Sequence, residues 1–148
     1  MPDNFAPRED AVKRRWTNTG CRGHNAGVRV EQTIPLLRIF EVERAKAFYV
    51  GFLGFTIDWE HRFDPAAPVY MQVSRDGCVL HLTEHHGDCT PTSTVFVRVT
   101  GLAEFHREVT AKGYGYNRPG IHRMPWNADQ MEVTDPFGNR LRFNEYLP

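Results

Sequence analysis

M-E-V-T-D-P-F-G-N-R-L-R-F-N-E, residues 131–145, decides the fold, because the chain has already written the same event once as Y-M-Q-V-S-R-D-G-C-V-L-H-L-T-E, residues 70–84. Each stretch is two strand-length runs turned by Asp and Gly, residues that serve turn geometry and left-handed conformations. Upstream of the first hairpin stand T-I-P-L-L-R-I (33–39), E-V-E-R-A-K-A-F-Y (41–49) and G-F-L-G-F (51–55). Upstream of the second stand S-T-V-F-V-R-V (93–99), G-L-A-E-F-H-R-E-V (101–109) and A-K-G-Y-G-Y (111–116). Arg38 then falls on Arg98, Gly54 on Gly113, Leu80 on Leu141 and His81 on Arg142. Each copy reads β-α-β-β-β and is too small to bury its own sheet face, so the two must share a surface. The pattern predicts an α+β domain over 33–148, with tandem modules at 33–84 and 93–146 forming a curved mixed sheet around a cleft, helices outside. Function is to be sought in that cleft.

Between these landmarks the periodicity is plain. Val42, Ala45, Phe48, Tyr49 and Phe52 recur at helical spacing over 41–52, and Gly54 stops the helix. Phe55 to His61 then predicts a strand with Phe55, Ile57 and Trp59 on one side and Thr56, Asp58 and Glu60 on the other. Pro65 and Pro68 mark a loop before the hairpin. Residues 1–32, rich in Asp, Asn, Arg, Gly and Pro with scattered Phe5, Val12 and Trp16, stand outside the repeat and read as a flexible arm or short docking helix.

Composition narrows the function classes. The chain has 148 residues, is 41% hydrophobic and balances 18 basic against 18 acidic side chains, which leaves no bulk field for nucleic acid or a membrane surface. Its apolar stretches are strand-length and broken by charge, which predicts no membrane span and no signal peptide, hence a cytoplasmic protein. Three cysteines, Cys21, Cys78 and Cys89, form no C-x-x-C pair, and Cys78 beside the turn reads as a small buried filler. No G-x-S-x-G elbow, phosphate-binding Gly loop or H-E-x-x-H occurs.

The doubled unit, A-F-Y-x-x-x-L-G-F at Ala47 to Phe55 and M-x-V-T-D-P-F-G-N-R-L-x-F at Met131 to Phe143, resembles the glyoxalase/bleomycin resistance/dioxygenase superfamily, also called vicinal oxygen chelate proteins. Within it, Pro125-Trp126 shortly before the D-P-F-G-N turn and the strand G-F-T-I-D-W-E are most similar to bleomycin resistance proteins. The resemblance implies a homodimer whose cleft draws elements from both chains. It also implies where a divalent metal sits in catalytic members: on the first and last strands of each copy, here Ile34, His81, Thr94 and Arg142. Only His81 is a good ligand, since Ile34 has no lone pair, Thr94 is weak and neutral, and Arg142 is a permanent cation. The expected cofactor is therefore none, with a divalent metal as the alternative. H-L-T-E-H-H-G-D (81–88) keeps that alternative open. A strand continuing past Thr83 would place His81 and His85 on one face, whereas a connection ended by Gly87 would leave His85, His86 and Asp88 exposed.

A groove of flat side chains remains. Trp59, Phe63, Tyr70, Phe96 and Trp126 are the candidate lining, in segments whose counterparts in bleomycin resistance proteins hold the drug, and His81, Arg98 and Arg142 are its candidate polar contacts. Aromatic walls offer contact area with few rotors to freeze. Asp58, Glu60 and Asp64 suit a cationic glycopeptide, whereas Arg98 and Arg142 favour an anionic group unless Glu132 or Glu145 pairs with them. Sequence thus points to non-catalytic binding and sequestration of a bleomycin-type antibiotic, with a metal-dependent lyase, isomerase or dioxygenase as the alternative.

Overall fold

The computed structural model describes residues 27–148, so Phe5, Val12, Trp16, Cys21 and most of the expected arm lie outside the described residues. The chain divides into Met1–Gln32 and Thr33–Pro148, and every element among the described residues lies in the second unit. These are β1 (Leu36–Arg38), α1 (Val42–Lys46) continued by a π-helical segment (Ala47–Phe52), β2 (Thr56–His61), β3 (Tyr70–Arg75) and β4 (Cys78–Thr83). The second module repeats the order with β5 (Thr94–Arg98), α2 (Leu102–Ala111), β6 (Ile121–Met124), β7 (Ala128–Thr134) and β8 (Arg140–Tyr146).

The strands form two four-stranded sheets, one from each of the expected tandem modules, ordered β1-β4-β3-β2 and β5-β8-β7-β6. Both are mixed, because β1 runs parallel to β4 and β5 parallel to β8 while the hairpin pairs are antiparallel. Register makes the repeat concrete. Leu36 and Gln72 flank His81 in the first sheet, and Phe96 and Glu132 flank Arg142 in the second. Arg38 and Arg98 are likewise equivalent, opposite Thr83 and Asn144.

One core serves both modules. Val42, Ala45, Phe48, Tyr49 and Phe52, the apolar stripe of the first helix, are all buried with Leu80, Leu82, Met131, Val133, Leu141 and Phe143 from both sheets. Tyr114 of the second module stacks on Phe52 at 4.8 Å and meets Phe48 edge-on at 5.8 Å, joining the modules through aromatic contact. Burying one such ring is worth about 1.5–3 kcal/mol. Helix ends are closed by side chains from elsewhere in the fold. Glu41 caps α1 by accepting from Glu43 N and Arg44 N, and Glu145 on β8 accepts from Gly101 N and Leu102 N at the start of α2. At the other end of the first helix, Arg75 and Lys112 donate to the carbonyls of Leu53 and Phe52. Gly54 follows at φ +72°, a left-handed conformation that favours glycine, and a Cβ there would only push aside the flexible tips of Arg75, Glu108 and Lys112.

The second hairpin turn is itself buried. Asp135 accepts from Phe137 N and Asn139 N on one oxygen and from Tyr49 Oη and Asn139 Nδ2 on the other, all at 2.8–2.9 Å. Asn139 Nδ2 also donates to Arg38 O at 2.7 Å. Burial raises the Asp135 carboxyl above its ordinary range despite these bonds, and burial beside Asp135 pushes the Tyr49 phenol well up. The D-P-F-G-N motif therefore ties the second hairpin to the first module.

Candidate functional site

The strict alternation expected along β2 fails at Asp58. Ile57 pairs with core Val73, but the register shifts before Trp59, which pairs with Gln72, and His61 pairs with Tyr70. Asp58 is the extra residue of a β-bulge, and one added residue turns everything beyond it to the opposite face. Trp59 is thereby on the outward face with Tyr70, Gln72 and His81, not beside Ile57. Asp58 accepts hydrogen bonds from Ser74 and Gln72 on that same face, and Glu60 turns away to meet Lys46 at 2.6 Å.

The result is an aromatic wall. The rings of Trp59 and Tyr70 lie parallel within 7° at 5.9 Å, and His81 meets them edge-on at 5.3 and 5.2 Å. Trp59, His61, Phe63, Tyr70, His85 and Asp88 line a cavity of about 460 Å³. Trp59 keeps 41% of its surface exposed and Phe63 81%, so large flat area is offered to a ligand. Tyr70 Oη lies 2.8 Å from His81 Nδ1, and His81 Nε2 lies 3.0 Å from Gln72 Oε1. Burial lowers the His81 pKa, and burial followed by the charges of Asp88 and Cys89 raises that of Tyr70.

Of the residues singled out from sequence, Trp59, Phe63 and Tyr70 line this cavity, and His81, outside the lining, packs against Trp59 and Tyr70. Phe96, Arg98 and Arg142 lie on the equivalent face of the second sheet, and Trp126 lies at the β6–β7 turn; none of the four lines this cavity. Arg142 donates to Glu132 at 2.6 Å, the pairing foreseen as one option, while the other option, Glu145, caps α2. Arg98 rests 4.8 Å over the Tyr146 ring. Asp64 bonds its own loop through Ala66 N, so all three carboxylates considered for a cationic ligand, Asp58, Glu60 and Asp64, have internal partners. Sequence reasoning missed His61 and Asp88 as lining. His61 becomes visible only once the bulge sets its register against Tyr70.

The four family metal positions do not suit a divalent ion. Arg142 brings its charge and its Glu132 partner, Ile34 and Thr94 are poor donors, and both ring nitrogens of His81 are engaged. The displaced pair fares no better: β4 ends at Thr83, so the strand extension needed to align His85 with His81 does not form. His85 N instead bonds Thr83 Oγ1, which donates to Asp88 at 2.7 Å. Among the described residues, no three His, Cys, Asp or Glu side chains gather into a metal-sized cluster. Cys78 packs against the core, as expected of a filler, and burial raises its thiol pKa.

Doubled mixed sheets with one shared core and an aromatic hollow on an outer sheet face define a two-module α+β fold. The chain belongs to the glyoxalase superfamily: the family described as glyoxalase superfamily protein matches residues 20–147. No curated protein matches it. Among solved structures it is similar to a bleomycin-binding protein in complex with bleomycin, at 25% identity over 80% of this chain and 100% of that one, with a TM-score of 0.63. An antibiotic-binding protein from a Streptomyces species shares the fold at 17% identity, over 82% of this chain and 100% of that one, with a TM-score of 0.61. So does a glyoxalase-related enzyme from Clostridium phytofermentans, at 18% identity over 83% and 100%, with a TM-score of 0.64. No helix among the described residues is long and apolar enough to cross a membrane.

Proposed function

We propose that this chain binds a flat-ringed small molecule of the bleomycin type and holds it without altering it, as a cytoplasmic homodimer. The observation that carries the reading is the Trp59–Tyr70–His81 wall beside a cavity of about 460 Å³. The likeness to a protein solved with bleomycin supports it, as does a set of family metal positions with one good donor in four. The exposed Phe96 and Trp126 of the second module support a second copy closing the cleft, with Arg98 and Arg142 joining the ligand contacts from that side.

Calorimetric titration with metal-free bleomycin is the test. One drug per cleft, recovered unchanged by mass spectrometry, is expected, and Trp59→Ala should weaken it by about 1–3 kcal/mol. No binding, or an affinity indifferent to Trp59, removes the reading. Elemental analysis after exposure to Zn, Ni, Mn and Fe(II) separates the metal-dependent alternative: near-stoichiometric metal lost on His81→Ala would turn the search to lyase, isomerase or dioxygenase substrates.

A further inference from the structure

Asp58 lies outside the cavity lining but fixes the hydrogen bonding of the wall. Its carboxylate can only accept, and it does so from Ser74 Oγ on Oδ1 and from Gln72 Nε2 on Oδ2, each at 2.9 Å. Turning the Gln72 amide over would set its oxygen against that carboxylate, so the amide is held with Oε1 toward His81 Nε2, 3.0 Å away. His81 Nε2 must then carry the proton. A neutral imidazole has one N–H, which leaves Nδ1 bare, and Tyr70 Oη at 2.8 Å can only donate to it. Burial of His81, which lowers its pKa, favours the neutral ring that this sequence of bonds requires.

We infer that Asp58, through Gln72 and His81, dictates the polarity of Tyr70: the phenol directs its proton into the sheet and offers only lone pairs to the cleft, so the site selects ligands that bring an N–H or O–H donor to that point. A protonated amine, guanidinium or amide on a flat ring meets this demand. A ring carboxylate or ether at the same position does not. The Asp88 carboxylate in the lining biases in the same direction. This inference rests on the binding reading above and deepens it.

Two readouts keep the inference and that reading apart. Long-range proton–nitrogen correlation spectra of the ligand-free protein at pH 7.5 should show His81 as the Nε2–H tautomer, with Nδ1–H appearing in Asp58→Asn, whose amide tolerates either orientation of Gln72. An Nδ1–H or doubly protonated His81 in the parent protein, or a tautomer indifferent to Asp58→Asn, overturns the relay. Binding is then compared by fluorescence for carbazole, a flat tricycle with one N–H and no basic nitrogen, and 9-methylcarbazole, which lacks the N–H. Carbazole should bind about tenfold tighter, the worth of one hydrogen bond, and Tyr70→Phe should abolish the difference. Equal affinities in the parent protein overturn the selectivity. Failure of both to bind counts against the binding reading, and the tautomer still decides the relay.

Discussion

In the first sheet His81 faces Gln72 across the β3–β4 ladder; at the same place in the second sheet Arg142 faces Glu132. Both pairs satisfy themselves across a ladder, yet the consequences differ. The neutral pair meets an indole and a phenol edge-on and completes a flat aromatic wall. The charged pair is half-exposed and remains a solvated ion pair. The hairpin turns reverse the assignment. The first, at Asp76-Gly77, is a minimal turn with Asp76 at φ +50° and open space around Gly77, while the second is the buried Asp135 network. The repeat has divided its labour: the first module carries an aromatic wall on its outer face, and the second carries the turn that locks the modules together.

The largest effect should come from removing that lock. Asp135→Ala strands Tyr49 Oη, two backbone N–H groups and the Asn139 amide, and a loss of about 2–4 kcal/mol in urea denaturation is expected. At the equivalent turn, Asp76→Gly relieves a left-handed residue and should stay within about 1 kcal/mol. Similar losses at both turns would erase the contrast. A smaller effect is expected where Arg75 and Lys112 clasp Glu108, joining β3 of one module to α2 of the other at 2.7 and 3.1 Å. Hydrogen bonds from Arg75, ahead of those from Lys112, depress the Glu108 pKa to about 2. A depressed carboxylate contributes stability that is complete above its unfolded value, near 4.5, and is lost as pH falls through about 2. Glu108→Gln should therefore flatten the decline in Tm between pH 5 and pH 2, and parallel curves for the two proteins would show that this clasp contributes nothing.

The fold was legible because hydrophobic period and Asp-Gly punctuation are local signals, and they recur twice. The helix stripe from Val42 to Phe52 was readable even though its second half is π-helical, since an inward face survives one slightly wider turn. The site was legible as a list of residue types and not as an arrangement. Trp59 drew notice for standing between two carboxylates, yet period-2 counting put it beside Ile57. The bulge at Asp58 leaves no compositional mark, because its cause is the pairing that Gln72 and Ser74 impose from the neighbouring strand. His61 was invisible for the same reason. The strand order within each sheet was hidden too, since it depends on contacts far apart in the chain.

The finest probe of the contrast is a pair of double-mutant cycles read against salt. Arg142→Met with Glu132→Gln should give a coupling of about 0.2–1 kcal/mol at low ionic strength, because the pair is half-exposed, and should fade as salt rises. His81→Phe with Gln72→Leu breaks a bond between neutral groups, so its coupling should hold constant over the same range. A salt-insensitive Arg142–Glu132 coupling would mean that this face is covered in solution and shielded from counterions. That outcome would break the contrast in an informative way, because a second copy of the chain placed to close the cleft is the covering that the proposed dimer supplies.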